Sequence, residues 1–130
     1  MQIMKRILAL VLMLSASSAW AEWTKMFEME SRTKYLDLST IRHSGHLVKV
    51  WELDDYKTLQ TVGGISYLST KVQMQYDCQE ENIRTLAFSL FSKNMGNGKL
   101  IDSSFVHQEW IPVQPESAGE ALFKALCDKM

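Results

Sequence analysis

Apolar and polar residues alternate with a period of two through the middle of this chain. In residues 67–78 (YLSTKVQMQYDC), Leu68, Val72, Met74, Tyr76 and Cys78 share one parity, and Ser69, Lys71, Gln73, Gln75 and Asp77 share the other. Residues 82–92 repeat the pattern, with Leu86, Phe88 and Leu90 set against Thr85, Ala87 and Ser89. This alternation predicts antiparallel strands with one buried face. Residues 47–56 (LVKVWELDDY) are dense in β-branched and aromatic residues and read as another strand. Shorter strands are expected over 23–29, 33–38 and 100–106, making about six in all. Turns are expected at 30–32, at His43-Ser44-Gly45-His46, at 78–81 and at 94–98 (NMGNG). Residues 37–41 (DLSTI) suit a helical turn, because Asp and Ser favour turn and cap positions. Residues 57–64 read as a loop ending in Gly63-Gly64.

The period changes near the end. Pro112 and Pro115 bracket a linker that is expected to stay outside the sheet. Ser117-Ala118-Gly119-Glu120 then matches a capping box, with Ser at the N-cap and Glu at the third helical position. Ala121, Leu122, Ala125 and Leu126 follow at helical spacing. The expected fold class is α+β, an antiparallel sheet of about six strands with a C-terminal α-helix packed on one face.

The first residues belong to a different pattern. Lys5 and Arg6 precede an unbroken apolar run at 7–14 (ILALVLML), small residues follow at 15–19, and Ala19-Trp20-Ala21 supplies the small-x-small sequence read by signal peptidase. The apolar run is shorter than the roughly 20 residues that a membrane span needs. No Cys lies near the cleavage position to carry a lipid. Residues 1–21 therefore read as a signal peptide cleaved after Ala21, leaving 22–130 as a single domain in the periplasm or secreted. The leader carries two basic residues and no acid, so the remainder holds 12 Lys and Arg against 15 Asp and Glu, a net charge of −3. With no basic patch, nucleic acid is not an expected partner, and no later apolar run is long enough to span a bilayer.

The chain holds two cysteines, Cys78 and Cys127. Outside the cytoplasm an even pair predicts a disulfide, and the absence of a CxxC spacing argues against a redox or metal site. A single bridge is expected between the end of a central strand and the end of the helix. Candidate chemistry is otherwise thin. His43 and His46 form HxxH in a polar turn without a spaced third ligand, and His107 stands alone. No Ser sits in an elbow motif, and the glycine pairs do not match a phosphate-binding loop. The paired acids Asp54-Asp55 and Glu80-Glu81 point to opposite faces when on a strand, which suits solvation better than a catalytic dyad. No catalytic residue, cofactor or metal is expected. Trp23, Trp51 and Trp110 read mainly as core residues, any exposed one being an interface anchor. The favoured binding surface is Trp51, Asp54, Asp55, Tyr56 and Lys57 with the adjoining 58–64 loop, where aromatic anchors meet charges beside a segment expected to flex.

Several local strings occur together in order: Tyr35-Leu36-Asp37-Leu38-Ser39-Thr40-Ile41-Arg42, Val48-Lys49-Val50-Trp51, Asp55-Tyr56-Lys57-Thr58, Tyr67-Leu68-Ser69-Thr70-Lys71, Tyr76-Asp77-Cys78, and Trp110-Ile111-Pro112-Val113 leading into the helix and Cys127. In these strings the chain resembles the surface-adhesin protein E-like domain of Gram-negative bacteria. The resemblance implies a helix-covered antiparallel sheet, the Cys78–Cys127 bridge, an envelope location and adhesion to host extracellular proteins. The expected function is thus an exported adhesin-like module that binds host or envelope proteins. The alternative is a small periplasmic ligand-binding or accessory domain that uses the outer face of the sheet or the Gly63-Gly64 loop.

Overall fold

The computed structural model describes residues 22–106 and 108–128. The leader read over 1–21 and the lone His107 lie outside the described residues. Seven strands run in chain order: β1 (Thr24–Glu28), β2 (Arg32–Ser44), β3 (Leu47–Val62), β4 (Ile65–Asp77), β5 (Asn82–Phe91), β6 (Leu100–Phe105) and the two-residue β7 (Ile111–Pro112). A 3-10 turn (Asn94–Gly96) precedes β6, and helix α1 (Ala118–Cys127) closes the chain. Strands β1 to β6 are neighbours in sequence order, every pair antiparallel, while β7 pairs with β5. The expected α+β architecture is the one found.

The alternation of β3 sorts its side chains. Val48, Val50 and Glu52 face the helix, whereas Trp51, Leu53 and Asp55 face outward. Leu36, Val48, Val50 and Tyr76 form the floor onto which Leu122 and Leu126 of α1 pack. Burying one such Leu is worth about 1.5–3 kcal/mol. Ser117 caps the helix as expected, its Oγ accepting from Glu120 N at 3.1 Å. The Cys78–Cys127 disulfide joins the end of β4 to the last helical residue, 49 positions apart.

Four local expectations are corrected. Residues 37–41 make a bulge inside β2, not a helical turn. The β2–β3 register passes from Asp37↔Trp51 to Arg42↔Lys49, so residues 38–41 stand opposite Val50 alone. The turn chemistry is real but local: Asp37 Oδ1 accepts from Ser39 N (3.1 Å) and Ser39 Oγ (2.5 Å), and Thr40 Oγ1 donates to the Asp37 carbonyl (2.7 Å). Thr40 Oγ1 also accepts from Trp51 N at 3.0 Å. That bond serves a backbone donor that the bulge takes out of the ladder.

Residues 57–62 are likewise strand, not loop, because Thr58, Thr61 and Val62 suit extended backbone and continue β3 to a tight Gly63-Gly64 turn. The register moves from Asp55↔Ser69 to Gln60↔Tyr67, so a second bulge places residues 56–59 opposite Leu68. Both turn glycines have positive φ, +56° and +79°, a conformation that L side chains rarely adopt. Finally, Pro112 does join the sheet. Strand β6 pairs with β5 only at residues 87–91, which leaves the edge near Asn82 and Ile83 free for Ile111–Pro112. A proline is tolerated on such an edge.

The parity of β5 also differs from expectation. The register shift between Gln73↔Ala87 and Met74↔Thr85 leaves Leu86 as an inserted residue. The difference is confined to the bulge: Thr85, opposite Met74, comes to the helix side, whereas Phe88 and Leu90, opposite Val72 and Thr70, keep the expected face and Ala87 and Ser89 the other.

Candidate functional site

The stretch from Trp51 to Lys57 lies wholly on β3, but its side chains go to different places. Trp51 is half-buried on the outer face. Asp54 is 7 % exposed, on the helix side, and its carboxylate lies 2.7 Å from Lys34 Nζ and 3.1 Å from Arg32 Nε. Asp55, on the outer side, accepts at Oδ1 from Asn94 Nδ2 (2.9 Å) and Met95 N (2.8 Å), which docks the 3-10 turn against β3. Tyr56 meets Tyr67 edge to face, ring centroids 5.8 Å apart, with the Arg32 guanidinium 5.9 Å from its ring centre. Burial and the Asp54 charge push the Tyr56 hydroxyl above its ordinary pKa. Lys57 is exposed and lies 3.4 Å from Glu28, and its hydrogen bond and charge hold that carboxyl below its usual value. The five residues therefore do not converge on one patch. Asp54 and Asp55 hold structure, while Tyr56 and Lys57 stand at the root of the β3–β4 hairpin.

Beyond that root the hairpin continues alone. Strand β2 pairs with β3 only as far as Tyr56, and β5 pairs with β4 only as far as Ser69. Residues 60–62 and 65–67 pair with each other to form a two-stranded arm. Leu59 at the bulge is 59 % exposed and Val62 near the tip is 65 % exposed. Isolated two-stranded hairpins are marginal in water. The Tyr56–Tyr67 contact and the Asn94 bond to the Tyr56 carbonyl (2.8 Å) steady the base.

The sequence reading did not anticipate a buried ionic network beneath the start of α1. Lys34 Nζ reaches Glu52 Oε1 at 3.2 Å as well as Asp54, and the Tyr76 hydroxyl donates to Glu52 Oε2. Glu52 is 2 % exposed. Burial raises its carboxyl above the ordinary range, against the opposing pull of Lys34 and the Tyr76 hydroxyl. Burial alone would lower the Lys34 ammonium, yet the facing carboxylates of Glu52 and Asp54 outweigh it, and the group is raised. Tyr76 is pushed well above 10.0, first by burial and then by the Glu52 charge. These groups border a cavity of about 190 Å³ that Gly119 and Leu122 roof. Their charges compensate one another inside the fold.

The histidines are separated. His43 is exposed at the rim of an apolar cavity of about 280 Å³ between Met26, Leu36, Ile41 and Leu126, while His46 Nε2 lies 3.6 Å from Asp77 Oδ1. Among the described residues no three His, Cys, Asp or Glu side chains gather as a metal site. No helix among them is long and apolar enough to cross a membrane. The tryptophans expected in the core are each only half-buried. Lys71 Nζ lies 5.9 Å from the Trp23 ring centre, and the Arg84 guanidinium stacks 4.3 Å over Trp110.

No curated protein matches the chain. Its fold is similar to crystal form II of Haemophilus influenzae protein E, with a TM-score of 0.60 and 10 % identity over 82 % of this chain and 97 % of that one. The selenomethionine form of Haemophilus influenzae protein E gives a TM-score of 0.62 and 10 % identity over 86 % and 90 % of the two chains. Protein E from non-typeable Haemophilus influenzae gives 0.64 and 9 % over 86 % and 79 %. At such identities the likeness concerns the fold alone. The sequence profile described as surface-adhesin protein E matches residues 23–128, and the chain belongs to that family.

Proposed function

We propose that residues 22–130 are an exported adhesin-like module that binds a host or envelope protein and performs no catalysis, with no cofactor or metal. Family membership supports the class of function. The observation that carries the reading is the β3–β4 arm, which holds Leu59 and Val62 in solvent beyond the paired sheet, beside the Tyr56 and Lys57 of the expected surface. Exposed apolar side chains on a projecting element, rimmed by polar residues, suit a protein interface.

The test is capture from host extracellular-matrix extract and from an envelope fraction on the immobilised domain, with identification of what binds. Leu59→Asp with Val62→Asp is expected to weaken that capture at least about tenfold, a loss of roughly 1.4 kcal/mol or more. Tyr56→Ala with Lys57→Ala should weaken it less. The melting temperature of the Leu59 and Val62 variant should stay close to that of the parent, because neither residue packs into the core. Undiminished capture by both variants would remove the arm from the account.

The export half of the reading rests on residues 1–21. Expressed with its leader in a Gram-negative cell, the protein should be recovered from periplasm or medium with a mass beginning at Glu22. A membrane-bound product that retains residues 1–21 would refute cleavage after Ala21.

A further inference from the structure

We propose that the outer face of the sheet carries a binding site for a neutral sugar ring, seated between Trp51 and Phe105. Cross-strand register builds the site: Trp51 pairs with Gln73, Gln73 with Ala87, and Ala87 with Phe105. These four residues form one row across β3, β4, β5 and β6, on the side turned away from α1. With strands about 4.8 Å apart, the two aromatic residues stand roughly 14 Å from each other. Ala87, 3 % exposed, lies low between them. The result is a trough of about 240 Å³ with an aromatic residue at each end and Ser89 and Ser103 along it, while Ser104, paired with Phe88, turns its side chain to the other face. At about 30 Å³ per water, that is room for roughly eight water volumes, the scale of one hexose.

The chemistry of the lining selects the ligand. No charged side chain lines the trough; Lys71, the cross-strand neighbour of Ser89, turns its ammonium onto the Phe91 ring, 4.8 Å from the ring centre. Two polar cavities among the described residues differ: one is lined by Glu80, Glu81, Glu120 and Lys124, the second by the Lys34–Glu52–Asp54 network. A phosphate, a sulfated glycan or a nucleic acid would find no counter-charge in the trough. An alkyl chain would leave the serine hydroxyls unpaired, at a cost comparable to a lost hydrogen bond. Among the described residues Ser89 and Ser103, which pair across β5 and β6 on this face, have no side-chain hydrogen bond. A sugar ring matches both parts, since its C–H face lies against an aromatic ring while its hydroxyl edge exchanges hydrogen bonds with serine and glutamine. Phe105 is 89 % exposed on an edge strand, so its ring is free to close over a ligand. This site is separate from the β3–β4 arm and stands whether or not the arm binds a protein.

The experiment is an amide-detected NMR titration of the leader-free protein with lactose and with N,N′-diacetylchitobiose. At least one of the two should give saturable shifts at the Trp51 indole N–H, the Gln73 side-chain amide and the amides of Ser103 and Ser104, with millimolar affinity suited to a shallow site. Phe105→Ser should weaken binding at least about tenfold without moving the melting temperature, because that side chain is almost wholly in solvent. Trp51→Ala should abolish the shifts, and the Phe105 variant decides the matter if the Trp51 variant folds poorly. No saturation with either sugar would overturn the proposal, as would shifts that persist unchanged in Phe105→Ser. So would sedimentation showing the parent to be a dimer that Phe105→Ser dissolves, since a second copy would then occupy the trough.

Discussion

Cys127→Ala is expected to lower the melting temperature by on the order of 15 °C and to release α1 from the sheet. Two independent arguments set that size. On the chain-entropy account, a closed loop of 49 positions contributes about 4 kcal/mol, and loss of a native bridge in a small secreted domain typically costs about 2–5 kcal/mol. Each kcal/mol moves the melting temperature of a domain this small by about 4–8 °C. The structure supplies the second argument. Helix α1 has ten residues and is too short to persist alone. Its hold on the sheet comes from Leu122, Leu126, the partly buried Phe123 and the bridge. Without the bridge, the helix end at Cys127 frays, and Leu36, Val48, Val50 and Tyr76 become accessible to water.

Calorimetry gives the size of the effect, and hydrogen exchange gives its place, with the first losses of protection in α1 and the ends of β3 and β4 beside Cys78. Cys78→Ala and the double variant should match Cys127→Ala, because the second thiol adds nothing once the first is gone. The non-reduced, denatured parent should titrate no free thiol. A fall of less than about 3 °C would mean that the helix docks through its apolar side chains without needing the bridge.

The elements that could be read from the sequence are those fixed by a local rule. Ser117 and Glu120 announce the helix start because capping needs those side chains at that spacing. The alternation in residues 67–78 announces β4 because one face is buried along its length. The misread segments are places where two rules compete. Asp37, Ser39 and Thr40 do satisfy backbone groups locally, yet β3 runs alongside and the chain resolves the competition as a bulge within β2. Gly63-Gly64 does make a tight turn, but the Thr and Val residues before it stay extended.

The buried network could have been read and was not. Val48, Val50, Glu52 and Asp54 share one parity, and two acids on the buried side of a central strand require a buried cation. Lys34, two residues before the buried Leu36, stands on the matching parity of β2. The separation of Trp51 from Tyr56 was harder to foresee, since it depends on which face α1 covers and on where β2 stops pairing. The trough beside Trp51 needs the register of four strands, which no local pattern reports.

Lys34→Met is expected to destabilise the protein by about 3–5 kcal/mol at neutral pH, the usual cost of removing one partner from a buried ion pair. Glu52 would keep its place under α1 with only the Tyr76 hydroxyl, and Asp54 would keep only Arg32. The pH dependence distinguishes this cause from a simple loss of packing. Burial raises the Glu52 carboxyl in the folded state, so protonated Glu52 favours folding. Its contribution is full below the ordinary value of 4.5 and is lost as pH rises through the folded value. In Lys34→Met only the Tyr76 hydroxyl still opposes the burial, and the folded value rises further. The gap in melting temperature between parent and variant should therefore narrow as pH falls from 7 toward 4.5.

In alkali the parent itself should weaken. Lys34 and Tyr76 are both raised in the folded state, from ordinary values of 10.5 and 10.0. Their contributions are full below about pH 10, and they disappear as pH climbs through the folded values, because the unfolded chain gives up those protons first. Lys34→Met with Glu52→Leu removes the pair together. It should recover much of the stability lost by the single variant, since a buried pair is often replaceable by apolar residues at little net cost. A gap that stays constant between pH 7 and 5, together with a double variant no more stable than Lys34→Met, would show that Lys34 acts through the packing of its alkyl chain and not through its charge.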